Sequence, residues 1–367
     1  MVLALGLLLG GCSSGGADPP VQTTPPPPDD PIAAPSALFV LGDSLSDVGN
    51  AAAAADYLLS LRIHPPTVGL CSPADVLVLL RPCDDLFHRQ SRVSDGPVAV
   101  EYLGAHLDIP ELVPSLHVIP DRPVTGTDYA VASAKARGQG QEDLSRQVDM
   151  LLLDHGFLLP ADALYVVMIG GNDAIDALQT VVAGAQDAPQ TSAAIVSAAV
   201  AAIGANVERL LDFGARQLIV ANVPDLAALP AVRADARASG DEAAVLAAAS
   251  AVSEAFDNEL DALLEEIENS GQWLSPTPLS LVRFDLRAAL RAAQDTVAAG
   301  GGNALDACFD STTYRQSPIA ERVFHADCAP AVDAVPRFDD FVFWDGIHPT
   351  GAIHATVGAA LIELLGR

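Results

Sequence analysis

Six consecutive apolar residues, Leu164-Tyr165-Val166-Val167-Met168-Ile169, constrain this chain more than any other stretch. The run is too short for a buried helix and shows no alternation, so it reads as a strand covered on both faces, the signature of a parallel sheet between helices. Leu38–Leu41, Leu218–Ala221 and Leu281–Phe284 are shorter runs of the same kind, and Tyr129–Ala132 reads as one more short strand. Helical spacing covers Ala51–Leu61, Pro97–His106, Leu144–His155, Thr191–Phe213, Asp241–Glu268 and Ala352–Leu365, with Gly214 standing as a helix stop. Strands that alternate with helices predict an α/β domain, doubly wound, with a mainly parallel sheet. Arg62–Gln90 is irregular and holds an apolar run, Val76–Leu80; it reads as an insertion. Asn222–Pro230 and Asn303–Phe341 read as loops.

The 367 residues are half hydrophobic, enough to build a full core in one large domain or two small ones. The formal net charge of −28 repels phosphate backbones, which excludes nucleic acid as a natural partner. Lys135 is the single lysine. No Cys/His set has zinc-ligand spacing and no H-E-x-x-H occurs, so neither a metal nor another cofactor is expected.

At the N-terminus, the apolar run Val2–Leu9 followed by Gly10-Gly11 has the form of a signal-peptide core and is too short to span a bilayer. Leu9-Gly10-Gly11-Cys12 resembles a bacterial lipoprotein box, which implies a signal peptide over 1–11 and a lipid on Cys12. Residues 13–36 are rich in Pro, Gly, Ser and Thr and read as a tether that cannot build a core. The expected layout is therefore leader, lipidated tether over 12–36 and a folded domain over 37–367, held at an outer membrane or cell surface, with the periplasm or secretion as alternatives. Cys71, Cys83, Cys308 and Cys328 remain, an even number in an exported chain. Three pairings are open; short loops favour Cys71–Cys83 and Cys308–Cys328, each adding about 3 kcal/mol in the loop-entropy view.

The chemistry-bearing residues follow the strands. Ser44 comes straight after the first apolar run and before an Ala-rich tract, at a strand-turn-helix junction where backbone N–H groups and a helix end converge. The same position suits a plain N-cap. Serine at neutral pH needs a base, and His348 has the best context of eight histidines, because Asp345 lies three residues before it and one turn can bring a carboxylate to its Nδ1–H. Asn172 lies just past the end of Leu164–Ile169, as an oxyanion donor or as a turn residue. The nucleophile elbow G-x-S-x-G is absent, because Ser46 stands where its second glycine would be.

Gly42-Asp43-Ser44-Leu45, continued by Ser46-Asp47-Val48-Gly49-Asn50, resembles the first motif of the GDSL (SGNH) esterases and lipases. Later blocks recur in order: Asp128–Ala134, Ile169–Asp173, a weaker Val223–Leu226, and Phe343–Thr350. The resemblance implies the flavodoxin-like three-layer fold and a serine hydrolase that cleaves small-molecule or lipid esters. Ser44, Asp345 and His348 would be the triad, with the oxyanion held by the Ser44 N–H, a second-block N–H assigned to Ser133, and the Asn172 side chain. The family also covers polysaccharide deacetylases and phospholipases or acyltransferases. A lipid-anchored binding protein with a dead site is the non-enzyme alternative, against which the intact set of four side chains argues. Two departures stand out. Ala132-Ser133 replaces the usual glycines, which preserves a backbone donor if φ stays negative, and Asp128 replaces a frequent asparagine. Phe343 and Trp344 are expected in the core.

Overall fold

The computed structural model describes residues 35–60, 91–109, 112–184, 186–273, 277–309, 324–330 and 334–366. The leader, Cys12, the tether up to residue 34, the insertion at 62–90 and Cys71–Cys83 lie outside the described residues.

Four strands form the main sheet: β1 (Leu38–Gly42), β2 (Leu164–Met168), β3 (Gln217–Ala221) and β4 (Ser280–Phe284), in the order β1-β2-β3-β4 and all parallel. Every residue of β1, β2 and β3 is buried, as two-sided cover demands. Each fully buried aliphatic side chain there contributes about 1.5–3 kcal/mol of transfer free energy. The helices are α1 (Asn50–Ser60), α2 (Ala99–His106), α3 (Leu144–Asp154), α4 (Gly171–Val182), α5 (Ala188–Asp212), α6 (Pro230–Ser239), α7 (Glu242–Asn269), α8 (Leu286–Ala299) and α9 (Gly351–Glu363). Two groups pack together: α5 against α3, α4 and α7, and α9 against α2 and α8. With the sheet between them, this is the three-layer α/β/α arrangement expected from the alternation. By length and composition α5 could cross a membrane, but half of its most apolar window is buried against neighbouring helices.

The stretch read as a strand at Tyr129–Ala132 is instead an extended segment beside β1. Val40 N donates to Thr127 O, Tyr129 N to Val40 O, and Val131 N to Gly42 O, a parallel ladder with one rung replaced. The replacement is the Gln147 side chain from α3, whose Oε1 accepts from Gly42 N at 2.8 Å and whose Nε2 donates to Gly42 O at 2.8 Å. With this segment counted second in the chain, the spatial order is 2-1-3-4-5, and the topological switch point falls between β1 and β2.

Other differences from the sequence reading have local causes. Gly170-Gly171 hid the start of α4, Pro230 is the first residue of α6 rather than the end of a loop, and Asp285 caps α8 by accepting from Ala288 N. The loop expected over 303–341 contains β5 (Asn303–Ala307) and ends against β6 (Phe341–Phe343); the two pair in parallel as a second, small sheet. Cys308 and Cys328 form a disulfide beside it and pack with Phe341. Phe343 and Trp344 are buried, as expected.

Candidate active site

β1 ends at Gly42, where a Cβ would run into the Met168 carbonyl of β2, so only glycine lets the two strand ends lie this close. The chain then makes a single helical turn. Ser46 N and Asp47 N both donate to Asp43 O at 3.1 Å, and Leu45 N donates to Asp43 Oδ1 at 3.1 Å. Ser44 sits on this turn and is buried to 9% exposure. It does not cap α1, which begins six residues later at Asn50; the carboxylate of Asp47 takes the first α1 donors instead. The strand-turn-helix junction expected at Ser44 is thus a strand followed by an isolated turn.

The histidine comes from the other end of the chain. β6 leads into a turn in which Asp345 Oδ1 accepts from Ile347 N at 2.9 Å and His348 N at 2.7 Å, while Trp344 N donates to His348 O at 2.8 Å. The His348 ring lies with Nδ1 at 2.9 Å from Asp345 Oδ1 and Nε2 at 2.9 Å from Ser44 Oγ. Three supports hold the turn: Phe309 N on Trp344 O, Thr350 N on Val342 O, and Ala231 N on Gly346 O. The last ties in α6 and so the weak fourth block, whose Asp225 accepts from Ala227 N and caps a short 3₁₀ turn. Burial by itself would push the Asp345 carboxyl up, but the facing His348 and the turn's N–H groups hold it below the usual carboxylate range. His354, on the first turn of α9, is pushed down to about 3 by burial and stays neutral at physiological pH.

The oxyanion candidates come from two loops and the start of a helix. Ser44 N and Ser133 N donate to no partner among the described residues. Asn172 lies in the first turn of α4, after Gly170 at φ +119°, and its Nδ2 spends one hydrogen on Ala134 O at 3.0 Å, leaving the other. The positive helix end at this site is that of α4, not α1. Ser133 departs from the sequence expectation: its φ is +71°, in the left-handed region, where a residue with a Cβ pays about 1–2 kcal/mol. The family's glycine at this position is explained by that dihedral. The donor N–H is nevertheless present, because φ strain leaves the peptide group itself unchanged.

A model of the GDSL-like Lipase/Acylhydrolase family matches residues 38–361, almost the whole described domain. No curated protein matches the chain. The chain belongs to the GDSL-like lipase/acylhydrolase family. Its coarse chemistry is accordingly that of an ester-hydrolysing enzyme. In this GDSL-like lipase/acylhydrolase, Ser44 and His348 are 304 residues apart and in hydrogen-bond contact.

Sequence reasoning gave no role to the carboxyl groups around the nucleophile, and noted Asp128 only as a departure from the family's asparagine. Asp43 is fully buried, and burial pushes it up to about 7, against the pull of Leu45 N and of His348. Asp47 accepts four backbone N–H groups, and Asp128 accepts Val48 N at 2.8 Å and Ala130 N at 2.9 Å. Burial, then the nearby Asp47 charge, raises Asp128 well above the ordinary carboxylate value. On α4, Asp173 holds Ala136 N at 2.8 Å and so staples the Ser133 loop to the Asn172 helix. For Asp47 the signal was in the motif itself: an aspartate two residues before Gly49 and three before Asn50 suits an Asx turn and a helix cap.

Proposed function

We propose that this enzyme hydrolyses carboxylic esters through an acyl–Ser44 intermediate. Ser44 Oγ attacks the ester carbonyl carbon while His348 Nε2 takes its proton. Asp345 holds the ring by Nδ1–H and balances the imidazolium that forms. The carbonyl oxygen becomes an oxyanion facing the Ser44 N–H, the Ser133 N–H and the Asn172 amide. Collapse breaks the bond to the alkoxide, which leaves with the proton from His348. Water, deprotonated by the same Nε2, then attacks the acyl group and frees Ser44.

The observation that carries this reading is the 2.9 Å contact from His348 Nε2 to Ser44 Oγ, with Asp345 on the opposite nitrogen. A fluorophosphonate probe should label the protein at Ser44 and leave Ser44→Ala unlabelled. Equal labelling of both would sink the assignment. A panel of p-nitrophenyl esters from short to long acyl chains then sorts esterase from lipase preference.

We further propose that the chain is exported and carries its lipid on Cys12, supported by the small-residue box before that cysteine and the Pro-rich stretch after it. Metabolic labelling with a fatty-acid probe should mark the wild type and not Cys12→Ser; identical labelling would end the idea.

A further inference from the structure

The carboxylate of Asp47 gathers more donors than a helix cap requires. It is buried at 1% exposure. Oδ1 accepts from Gly49 N and Asn50 N, both at 2.7 Å, and Oδ2 accepts from Ala51 N at 3.0 Å and Ala132 N at 2.8 Å. The first three donors open α1, and one side-chain acceptor commonly suffices for such an end. The fourth donor comes from 85 residues further along the chain. Asp47 is also the last residue of the Ser44 turn, through its own N–H on Asp43 O.

Ala132 immediately precedes Ser133, whose left-handed φ the surroundings must impose. The peptide joining them carries the N–H assigned above to the oxyanion. Its orientation is set by ψ of Ala132 and φ of Ser133. On the far side, Ala134 N binds Val131 O at 3.1 Å and Asn172 Nδ2 binds Ala134 O at 3.0 Å. On the near side, the side-chain anchor is Asp47 on Ala132 N.

We propose that Asp47 is a positioning residue that ties the Ser133 N–H to the Ser44 turn, so that nucleophile and second oxyanion donor are held as one piece. The proposal rests on Ser133 N–H being an oxyanion donor, and the test separates the two ideas. In the full chain, nonsense suppression gives Ala132→lactic acid, which replaces that single N–H by an ester oxygen and leaves Asp47 and its three α1 donors in place. Ser133→glyceric acid does the same to the proposed donor. Each variant and the double ester are measured for kcat and KM on p-nitrophenyl butyrate, for affinity toward a trifluoromethyl ketone that forms an oxyanion adduct with Ser44, and for Tm.

The Ser133 ester should lose about 10²-fold in kcat. The Ala132 ester should lose about tenfold in kcat and in ketone affinity together, with KM nearly unchanged, as a misaimed rather than deleted donor. The double ester should be no worse than the Ser133 ester alone, because both act through one group. A lower Tm with unchanged kcat for the Ala132 ester, or losses that multiply in the double, overturns the proposal and leaves Asp47 as a cap. An inert Ser133 ester overturns the oxyanion reading and takes the proposal with it. If the Ala132 ester does not fold, Asp47→Asn is compared in the Ser133-ester and natural backgrounds: a kcat loss in the natural background that vanishes in the other supports the tie, and equal losses in both overturn it.

Discussion

The nucleophile corner, residues 42–50, and the histidine corner, residues 341–350, both bury carboxyl groups beside the same Ser44–His348 contact, but they give them different company. Asp47 accepts four backbone N–H groups and Asp43 accepts Leu45 N, with His348 near enough to lower Asp43 only in part, and burial raises both. Asp345 is equally enclosed, yet its partner is an imidazole, and it is held below its ordinary range. Desolvation acts on all three in one direction; at Asp345 a directly hydrogen-bonded imidazole, together with the turn's N–H groups, outweighs it. A carboxylate with a histidine is poised to stabilise positive charge, whereas carboxyls held by amides serve to shape the loop.

Mutation can break this comparison, most sharply at the reacting atoms. Ser44→Ala and His348→Ala should each lower kcat by about 10⁶-fold, and the double variant should be little worse, since the two work as a unit. Multiplying losses would show that the corners act independently. Asp345→Asn keeps the shape of its turn but favours the wrong tautomer of His348, and should cost up to about 10⁴-fold in kcat. A loss no greater than that of Asp43→Asn would erase the distinction drawn between paired and unpaired carboxyls.

Asn172→Ala removes one donor from the nucleophile side and should cost about 10²–10³-fold in kcat, roughly 3–4 kcal/mol of transition-state stabilisation. Ser133→Gly keeps its peptide N–H and relieves the left-handed φ. It should leave kcat nearly unchanged and alter stability by no more than about 1 kcal/mol. Damage comparable to Asn172→Ala in a folded protein would assign the work to the Ser133 hydroxyl.

The smallest effects are in the pH dependence of stability, where the corners should carry opposite signs. Asp43 is raised to about 7 in the fold, against an ordinary value of 3.8. Its contribution is complete below the unfolded value and is lost as pH rises toward 7. The wild-type Tm minus that of Asp43→Asn should therefore fall between pH 4 and 7 and level off above. Asp345 is lowered, so its contribution is present above about pH 4 and is lost as pH falls through the folded value. The corresponding difference for Asp345→Asn should be level at neutral pH and shrink only in acid. Calorimetry across pH 3–8 reads both, and two parallel curves would contradict the electrostatic contrast.

Much of this was legible beforehand, for identifiable reasons. β2 is apolar because both of its faces are covered, so no alternation disguised it. α4 was hidden because Gly170 and Gly171 lack the pattern of a helix start, and the need at Gly170 is steric: it has φ +119° and lies against Phe256. β5 was missed because Asn303–Ala307 is only partly buried and carries Asp306, so hydrophobicity did not mark it. The extended segment at 127–131 was taken for a strand because nothing in its sequence shows that Gln147, on α3, occupies one rung.

By itself the sequence determined the parallel, doubly wound class and the Asp345–His348 pair, because strand cover is written residue by residue and a separation of three residues within one turn sets that pair's geometry locally. Only the tertiary structure decided that Ser44 meets His348, that Ser133 takes a left-handed φ, and that Asp47 receives an N–H from Ala132. Those contacts join residues tens to hundreds of positions apart, and such contacts leave no periodicity in a chain. They exist because the strand order sets the carboxyl ends of β1 and β2 side by side and the small β5–β6 sheet carries the last turn back to them.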